Sequence, residues 1–203
     1  MVQSNSNPHS RLYSKSDKER IGNTLNYFAE KVHNLSKTKA LKLLYLLDEY
    51  TTVQTGVPFL GLSYEVWRNG PVNQDVFYEL SNELLELKKY VAISYNKSFD
   101  VIVPKKEFDD HEFSDHDMAA LEHILEKNGR LNANELIDIT HKKGGLWDRT
   151  ASKHGLKEVF KNNTKTHTSN YILNLEDLLV DEIKKRRYKD YLEDQRIEQM
   201  LNA

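Results

Sequence analysis

The stretch KALKLLYLLDEYTTVQTG, residues 39–56, decides the fold that we predict for this chain. Its middle section leaves no polar face, because the leucines do not keep to one side of the helix. These apolar positions are Leu41, Leu43, Leu44, Leu46 and Leu47. A helix that is apolar all round is normally buried. Ser36 can cap its start and Gly56 can end it, so we expect a buried central helix around which the other elements pack.

Helical periodicity and capping residues predict further helices on both sides of this segment. The capping pairs are Ser16 with Glu19, Ser114 with Asp117, and Asn132 with Glu135. The segments predicted in this way are a helix over residues 17–34, a helix that stops near Gly129, a helix from residue 133, a short helical turn within 146–160, a loop over 162–168, and a long charged helix within 174–201.

A strand followed by a helix is predicted directly after the central helix. The stretch LSYEVWRN, residues 62–69, is rich in β-forming residues, and Gly70 is expected to end the strand. Pro71 suits the first turn of a helix, where its missing N–H costs nothing. Apolar residues at helical spacing then extend the predicted helix to Leu87.

A β-hairpin is predicted in YVAISYNKSFDVIVPK, residues 90–105, with its turn at residues 96–98. The predicted fold class is therefore α+β and predominantly α-helical: a helical domain around a buried central helix, with a short strand and a small β-hairpin. We expect residues 1–16 to form a disordered tail and residues 17–160 to form one domain. The loop and charged helix of residues 161–203 are expected to pack on that same domain.

Composition narrows the classes of function. The chain has 203 residues and a formal net charge of −2, so no global field attracts it to nucleic acid or membranes. It has no cysteine, which excludes disulfides, thiolate metal sites and cysteine nucleophiles. No apolar run approaches the roughly 20 residues of a membrane span, and the N-terminal residues lack the apolar core of a secretory signal. We therefore expect a cytoplasmic protein with no membrane partner.

Three polar groups are candidates for chemistry. The acidic and histidine residues of DDHEFSDHD, residues 109–117, have the ligand types of a metal site, but acidic side chains at a helix start are more simply explained by capping and the helix dipole. His141 follows a helix end, where cations are common. The basic run at residues 184–187 follows Asp181 and Glu182, which lie four residues before Lys185 and Arg186, and this spacing favours a solvated helix face. We therefore predict no catalytic residues, no metal, no cofactor and no small-molecule substrate.

Two motifs resemble a known family. The first is a K-L-L-Y helix followed by G-x-P-F, and the second is W-x-x-G-P-V followed by V-F. The matching residues are Lys39, Leu41, Lys42, Leu43, Leu44, Tyr45, Gly56, Pro58, Phe59, Trp67, Gly70, Pro71, Val72, Val76 and Phe77. Together they resemble the Panacea domain, also called the SocA-like or phage-associated GepA family. A later element of that family is similar to Leu136, Thr140, His141 and Trp147, although this chain has Gly144, Gly145 and Leu146 where the family has a proline before its tryptophan.

The resemblance implies a bacterial or phage antitoxin that binds a cognate protein toxin and neutralises it, and that is not an enzyme. Residues 17–160 would then be the Panacea-like domain. The candidate partner-binding residues are Trp67, Arg68, Gly70, Pro71, Val72, Thr140, His141 and Trp147. The family-motif residues expected in the core are Lys39, Leu43, Leu44 and Tyr45. Trp67 has a second interpretation, in which its ring packs inside the domain and Gly70-Pro71 only turns the chain.

Other functions remain open at this point. A proteolytic adaptor, as in one relative of this family, would deliver the toxin to a protease. A winged-helix-like autoregulator would bind operator DNA, but the predicted helix of residues 72–87 carries Glu79, Glu83 and Glu86, whereas a recognition helix should be basic. A metal-dependent hydrolase would use the Asp/His cluster and would purify with bound metal.

Overall fold

The computed structural model describes residues 14–81, 84–95 and 99–201. The helices are α1 (Lys15–Lys31), α2 (Lys37–Thr55), α3 (Gln74–Glu79), α4 (Asp115–Asn128), α5 (Ala133–Thr140), α6 (Leu146–Lys153), α7 (Leu156–Asn162) and α8 (Glu182–Leu201). The strands are β1 (Glu65–Trp67), β2 (Gly70–Val72), β3 (Val91–Tyr95) and β4 (Asp100–Pro104), with 3₁₀ turns at Leu87–Lys89 and Leu175–Leu178. The strands form two antiparallel pairs, β1–β2 and β3–β4. The fold is α+β and mainly helical, as predicted.

The central helix α2 is the buried helix that the leucine pattern predicts. Every residue from Lys39 to Asp48 is buried. Ser36 caps its start by accepting a hydrogen bond from the Lys39 N–H, and Gly56 ends it. Helices α3, α4, α5 and α8, strands β2 and β4 and the 3₁₀ turn at Leu175–Leu178 all pack against α2. The core of the molecule is therefore organised around this one helix.

Asp48 of α2 fixes the chain that leaves the helix. Its buried carboxylate accepts hydrogen bonds from the Leu60 N–H at 2.5 Å, the Leu62 N–H at 3.1 Å and the Tyr64 hydroxyl at 2.9 Å. Burial raises the pKa of Asp48, and these hydrogen bonds oppose that rise. The carboxylate thereby holds the start of the β1 segment against the central helix.

Asp48→Asn is expected to lower the free energy of unfolding by roughly 2 kcal/mol, because an amide offers one acceptor oxygen to several buried donors. Chemical denaturation of both proteins measures this change. Asp190→Asn, on the exposed face of α8, is the matched control and should leave stability almost unchanged. Equal stability of wild type and Asp48→Asn would show that the buried donors find other acceptors.

The segment around Gly70 and Pro71 differs from the prediction. These residues do not turn a strand into a helix; they form β2, which pairs with β1 through Glu65↔Val72 and Trp67↔Gly70. Gly70 has a φ of 99°, which glycine adopts readily, and a Cβ there would lie 2.7 Å from the Thr140 Oγ1 atom. Proline is tolerated in an edge strand for the same reason as at a helix start, namely that its N–H is not required.

The long helix predicted over residues 71–87 is also wrong. Asn73 caps a short helix by accepting a hydrogen bond from the Val76 N–H, and this helix, α3, ends at Glu79. The Glu79 carboxylate then accepts hydrogen bonds from the N–H groups of Leu85, Glu86 and Leu87, at 3.0–3.1 Å. These bonds satisfy the backbone N–H groups at the start of the 3₁₀ turn. The apolar residues that were predicted to lie on one long helix are therefore divided among β2, α3, this 3₁₀ turn and the residues that connect them.

Smaller differences concern helix ends. Helix α1 begins at Lys15 behind a capping box of Ser14 and Asp17, two residues before the predicted pair, so residues 15 and 16 of the expected tail are helical. Residues 1–13 of that tail and the hairpin turn at 96–98 lie outside the described residues. The predicted capping boxes at Ser114 and Asn132 are confirmed. Residues 146–160 form α6 and most of α7, and the charged helix starts only at Glu182.

The C-terminal segment packs on the rest of the molecule at two places. Residues 167–173 run beside β1, where the Val66 and Arg68 N–H groups donate to the carbonyls of Tyr171 and His167 at 2.9 and 2.8 Å. The first half of α8 lies across the end of α2, where the Lys184 Nζ donates to the Val53 carbonyl at 2.6 Å. The basic run at 184–187 therefore includes residues that dock α8.

Candidate functional site

The family-motif residues, which are far apart in the sequence, meet in one place. Helix α2 supplies Lys42, the β1–β2 hairpin supplies Trp67, Gly70 and Pro71, and α5 with α6 supplies the rest. We call Lys42, Trp67, Gly70, Pro71, Thr140, His141 and Trp147 the motif cluster. The Lys42 Nζ donates to the Pro71 carbonyl at 2.8 Å, and the Trp147 Nε1 donates to the Trp67 carbonyl at 2.9 Å. These two bonds tie the hairpin to α2 and α6.

Trp67 packs inside the domain, as its second interpretation supposes. Its side chain is buried, and its ring meets Phe77 edge-on with the ring centres 4.8 Å apart. Its Nε1 donates to the buried Glu65 carboxylate at 2.7 Å. Trp147 is buried as well, and its ring centre lies 3.8 Å from that of His141. In this arrangement neither tryptophan presents its ring on the surface.

Arg68 is also used within the chain. Its Nε donates to the Thr166 carbonyl at 2.9 Å and its Nη2 to the Asn163 carbonyl at 2.5 Å, while its guanidinium lies 5.7 Å from the centre of the Phe160 ring. These bonds hold the 163–166 segment beside the hairpin. The guanidinium therefore has a structural task in addition to any contact with a partner.

The electrostatics of the motif cluster are set by a buried lysine. Lys42 is 1% exposed, and burial lowers its pKa to about 7. His141 is half-buried, and burial, with the charge of Lys42, lowers the pKa of its imidazole to about 4. Its Nε2 atom is buried and has no hydrogen-bond partner among the described residues. At neutral pH the His141 imidazole is therefore neutral, and the Lys42 side chain is a mixture of ammonium and neutral amine.

The family-motif residues of α2 other than Lys42 are buried in the core. Leu43, Leu44 and Tyr45 are fully buried, and the Tyr45 ring packs edge-on against Tyr64. The Lys39 Nζ donates to the Gly129 carbonyl at 2.6 Å, which ties α2 to the end of α4.

Glycine takes the place of the family's proline before Trp147. Gly144 has a φ of 76°, a conformation that favours glycine, and its N–H donates to the Asp148 carboxylate at 2.9 Å. The Gly145 N–H donates to the Lys142 carbonyl at 2.9 Å, and α6 begins at the next residue. The turn before α6 is therefore closed by hydrogen bonds from the backbone N–H groups of the two glycines, one to a carboxylate and one to a carbonyl.

The Asp/His cluster is an exposed loop followed by a helix cap. Carboxylate and imidazole atoms of Asp109, Asp110 and His111 lie within 4.8 Å of one another, and all three residues are exposed. The Asp117 carboxylate accepts a hydrogen bond from the Ser114 N–H at 3.0 Å and pairs with Arg20 at 2.6 Å. The capping explanation of Asp117 is therefore confirmed. His116 lies outside this group of potential ligands.

A cleft opens beside the motif cluster, between α2, the end of α4 and the start of α6. We call this space of ≈ 440 Å³ the α2–α6 cleft. Its apolar lining consists of Leu46, Tyr50, Val53, Ile124, Leu146 and Leu178. Its charged lining consists of Glu49, Lys127, Lys142 and Arg149. Sequence reasoning missed these residues because four separate segments bring them together. The one available signal was the Lys142-Lys143-Gly144-Gly145 turn, which we treated as a helix stop.

The glutamate of the cleft lies among cations. The Tyr45 hydroxyl donates to the Glu49 carboxylate at 3.2 Å. Burial raises the pKa of Glu49, and the charges of Lys142 and Arg149 offset part of that rise. Arg149 is held in place, because its two terminal nitrogens donate to the carbonyls of Gly144 and Asp177 at 3.1 and 3.0 Å. The His123 ring stacks on Tyr50, with the ring centres 4.3 Å apart, and forms one wall.

Within the described part of the chain, no helix combines the length and the apolar character that a bilayer crossing requires.

Comparison with known proteins gives one family and one relative. Residues 41–148 match the model of the family described as "Antitoxin SocA-like, Panacea domain". Over 124 residues the chain is 27% identical to "Antitoxin SocA" of Caulobacter vibrioides (strain NA1000 / CB15N), an alignment that covers 60% of this chain and 62% of that relative. The chain thus spans less than two thirds of the relative's length. No solved structure gives a significant match.

Proposed function

Because the chain belongs to the Antitoxin SocA-like, Panacea domain family, we propose that it neutralises a cognate protein toxin by binding to it directly. Family membership supports an antitoxin role in a toxin–antitoxin system and suggests a regulatory role that is not enzymatic. The proposal adds the mechanism, which is occlusion of the toxin by a preformed surface in the cytoplasm. In this proposal residues 17–160 form the binding surface, and residues 161–203 pack against them and support it.

The observation that supports the proposal most directly is that the family-matched segment contains both a set of motif residues bonded to one another and an open cleft beside them. The motif residues are occupied with one another: Lys42 bonds Pro71, and Trp147 bonds Trp67. They hold helices and hairpin in a fixed arrangement, and beside them lies an open cleft. A rigid surface loses little conformational entropy on binding, which favours tight association. We therefore propose that Trp67, Gly70, Pro71, Val72, Thr140, His141 and Trp147 act on the partner by shaping the surface that receives it.

The rival functions have less support. A winged-helix reader needs a recognition helix, but α3 has six residues and carries Asp75 and Glu79, which would repel phosphates. A metal hydrolase would need more than the exposed loop ligands of residues 109–111. Delivery to a protease requires the same toxin-binding step, so it is an extension of the proposal, and the test below can separate the two.

We expect the product of the neighbouring gene to stop growth when expressed alone and to be tolerated when this chain is expressed with it. Direct neutralisation requires a stable interface, which buries roughly 800 Å² on each partner. The two proteins should therefore co-purify as a stoichiometric complex. Rescue should persist in a host that lacks its ATP-dependent proteases, which would exclude an adaptor mechanism. Rescue without any complex, or no rescue, would contradict direct neutralisation.

A further inference from the structure

We infer that the α2–α6 cleft is the docking site for the toxin, and that its occupant is an acidic segment of that protein which places an apolar side chain on the cleft floor. This inference rests on the proposed antitoxin function and names the surface that performs it. Four features support it: the position of the cleft in the family-matched segment, its charge, its apolar floor, and the rigidity of its walls.

Position distinguishes this cleft from two other clefts of the described residues. Nearly all of its lining lies within the matched residues 41–148; the exceptions are Arg149 and Leu178. A second cleft of ≈ 400 Å³ lies under α8 and is lined mainly by residues 172–199, outside the match. A third is lined partly by α1 and the turn after it, which also lie outside it. A surface that serves the activity shared by the family should lie in the segment that the family shares.

Charge indicates the chemistry of the occupant. Among the described lining residues, Lys127, Lys142 and Arg149 are cationic, and Glu49 is the one acidic side chain. Lys127 and Lys142 are exposed and form no ion pair with any described residue. The protein as a whole is slightly acidic, with a net charge of −2, so this is a local excess of positive charge. Electrostatic complementarity then favours carboxylates on the partner.

The floor and walls favour a protein partner over a nucleic acid. Leu46, Ile124 and Leu146 make the floor apolar, and the stacked pair of Tyr50 and His123 forms a flat wall. An apolar floor surrounded by charged groups is the usual arrangement at the centre of a protein interface. The Glu49 carboxylate would repel a phosphate backbone, whereas a protein segment can place a hydrogen-bond donor beside it.

The walls are also fixed before binding. Arg149 is bonded to two backbone carbonyls, so its guanidinium points the same way with or without a partner. Val53 sits near the end of α2, where the Lys184 Nζ bonds its carbonyl oxygen. Helix α8 therefore supports one end of the cleft, although α8 itself lies outside the family-matched region.

The test is a charge reversal, Lys127→Glu with Lys142→Glu, measured by calorimetry against the product of the neighbouring gene. The dissociation constant is expected to rise roughly 10- to 100-fold, and growth rescue should be lost. Val53→Asp, on the exposed edge of the floor, should weaken binding similarly. Lys165→Glu, an exposed lysine in the loop after α7, is the matched control and should bind like wild type. All variants should keep the wild-type melting temperature, since the changed side chains are exposed.

The outcomes separate this inference from the proposed function. If wild type neither binds nor rescues, the antitoxin proposal fails and the cleft assignment fails with it. If wild type binds and the double variant binds equally well, only the cleft assignment is overturned. If the double variant loses binding to promoter DNA but keeps the toxin, the cleft is a nucleic-acid site and the inference is wrong. Changing an acidic residue of the toxin to lysine should restore binding to the double variant if the two surfaces meet.

Discussion

Trp67→Ala is expected to lower the free energy of unfolding by about 3–5 kcal/mol, the usual cost of removing a buried tryptophan side chain. The indole is 8% exposed and packs on Phe77. Its removal would leave a cavity between β1 and α3. It would also remove the donor to the buried Glu65 carboxylate, which makes that carboxylate costlier to bury. The hairpin would then loosen at the point where Trp147 bonds it.

Thermal and chemical denaturation of Trp67→Ala test this expectation, alongside growth rescue. Tyr95→Ala is the control, since Tyr95 is 84% exposed in β3 and its removal should change stability by less than about 0.5 kcal/mol. Rescue should fall together with the stability of Trp67→Ala. The opposite result, in which stability holds while toxin binding is lost, would show that the ring reaches the partner and that the packed arrangement opens when the toxin binds.

The sequence predicted the central helix well because its signal is local. The leucine pattern, the Ser36 cap and the Gly56 stop act within 20 residues of one another, and no tertiary contact has to be known. The capping boxes at Ser114 and Asn132 were predictable for the same reason. The family motif was also readable, but the sequence left open whether residues such as Trp67 contact a partner or pack inside the domain.

The β1–β2 hairpin was missed because Pro71 fits two structures equally well. Both a helix start and an edge strand accept a residue without an N–H. The choice depends on residues 167–173, which supply the third extended segment beside β1 and lie about 100 positions later. No local pattern near Trp67 contains that information. The α2–α6 cleft was missed for the same reason, because its charged residues come from α2, α4, the turn before α6 and α6 itself.

The structure gives the motif a different meaning from the one that its residue types suggest. Tryptophan and arginine are typical anchors of protein interfaces. Here the side chains of Trp67, Trp147 and Arg68 donate hydrogen bonds within the protein, to the Glu65 carboxylate and to backbone carbonyls. The hydrogen bonds of these residues tie the hairpin to α6 and to the 163–166 segment.

Lys42 provides a measurable test of this arrangement, because its burial links stability to pH. The folded state lowers its pKa to about 7 from the ordinary value of 10.5. Between these values the unfolded chain binds a proton that the folded chain does not bind, so stability should rise as the pH rises. Each pH unit in this range contributes about 1.4 kcal/mol at most.

Between pH 7 and pH 10 the wild type should therefore gain roughly 3 kcal/mol of unfolding free energy relative to Lys42→Met, which has no ammonium to titrate. Urea denaturation of both proteins across this range measures the difference, and contributions from the tyrosines cancel in the comparison. Lys143→Met, at an exposed position, should follow the wild-type curve. If Lys42→Met and wild type ran parallel throughout, the Lys42 ammonium would have to reach solvent. The bond to Pro71 would then not hold the hairpin, and the role of the motif as a rigid frame would be wrong.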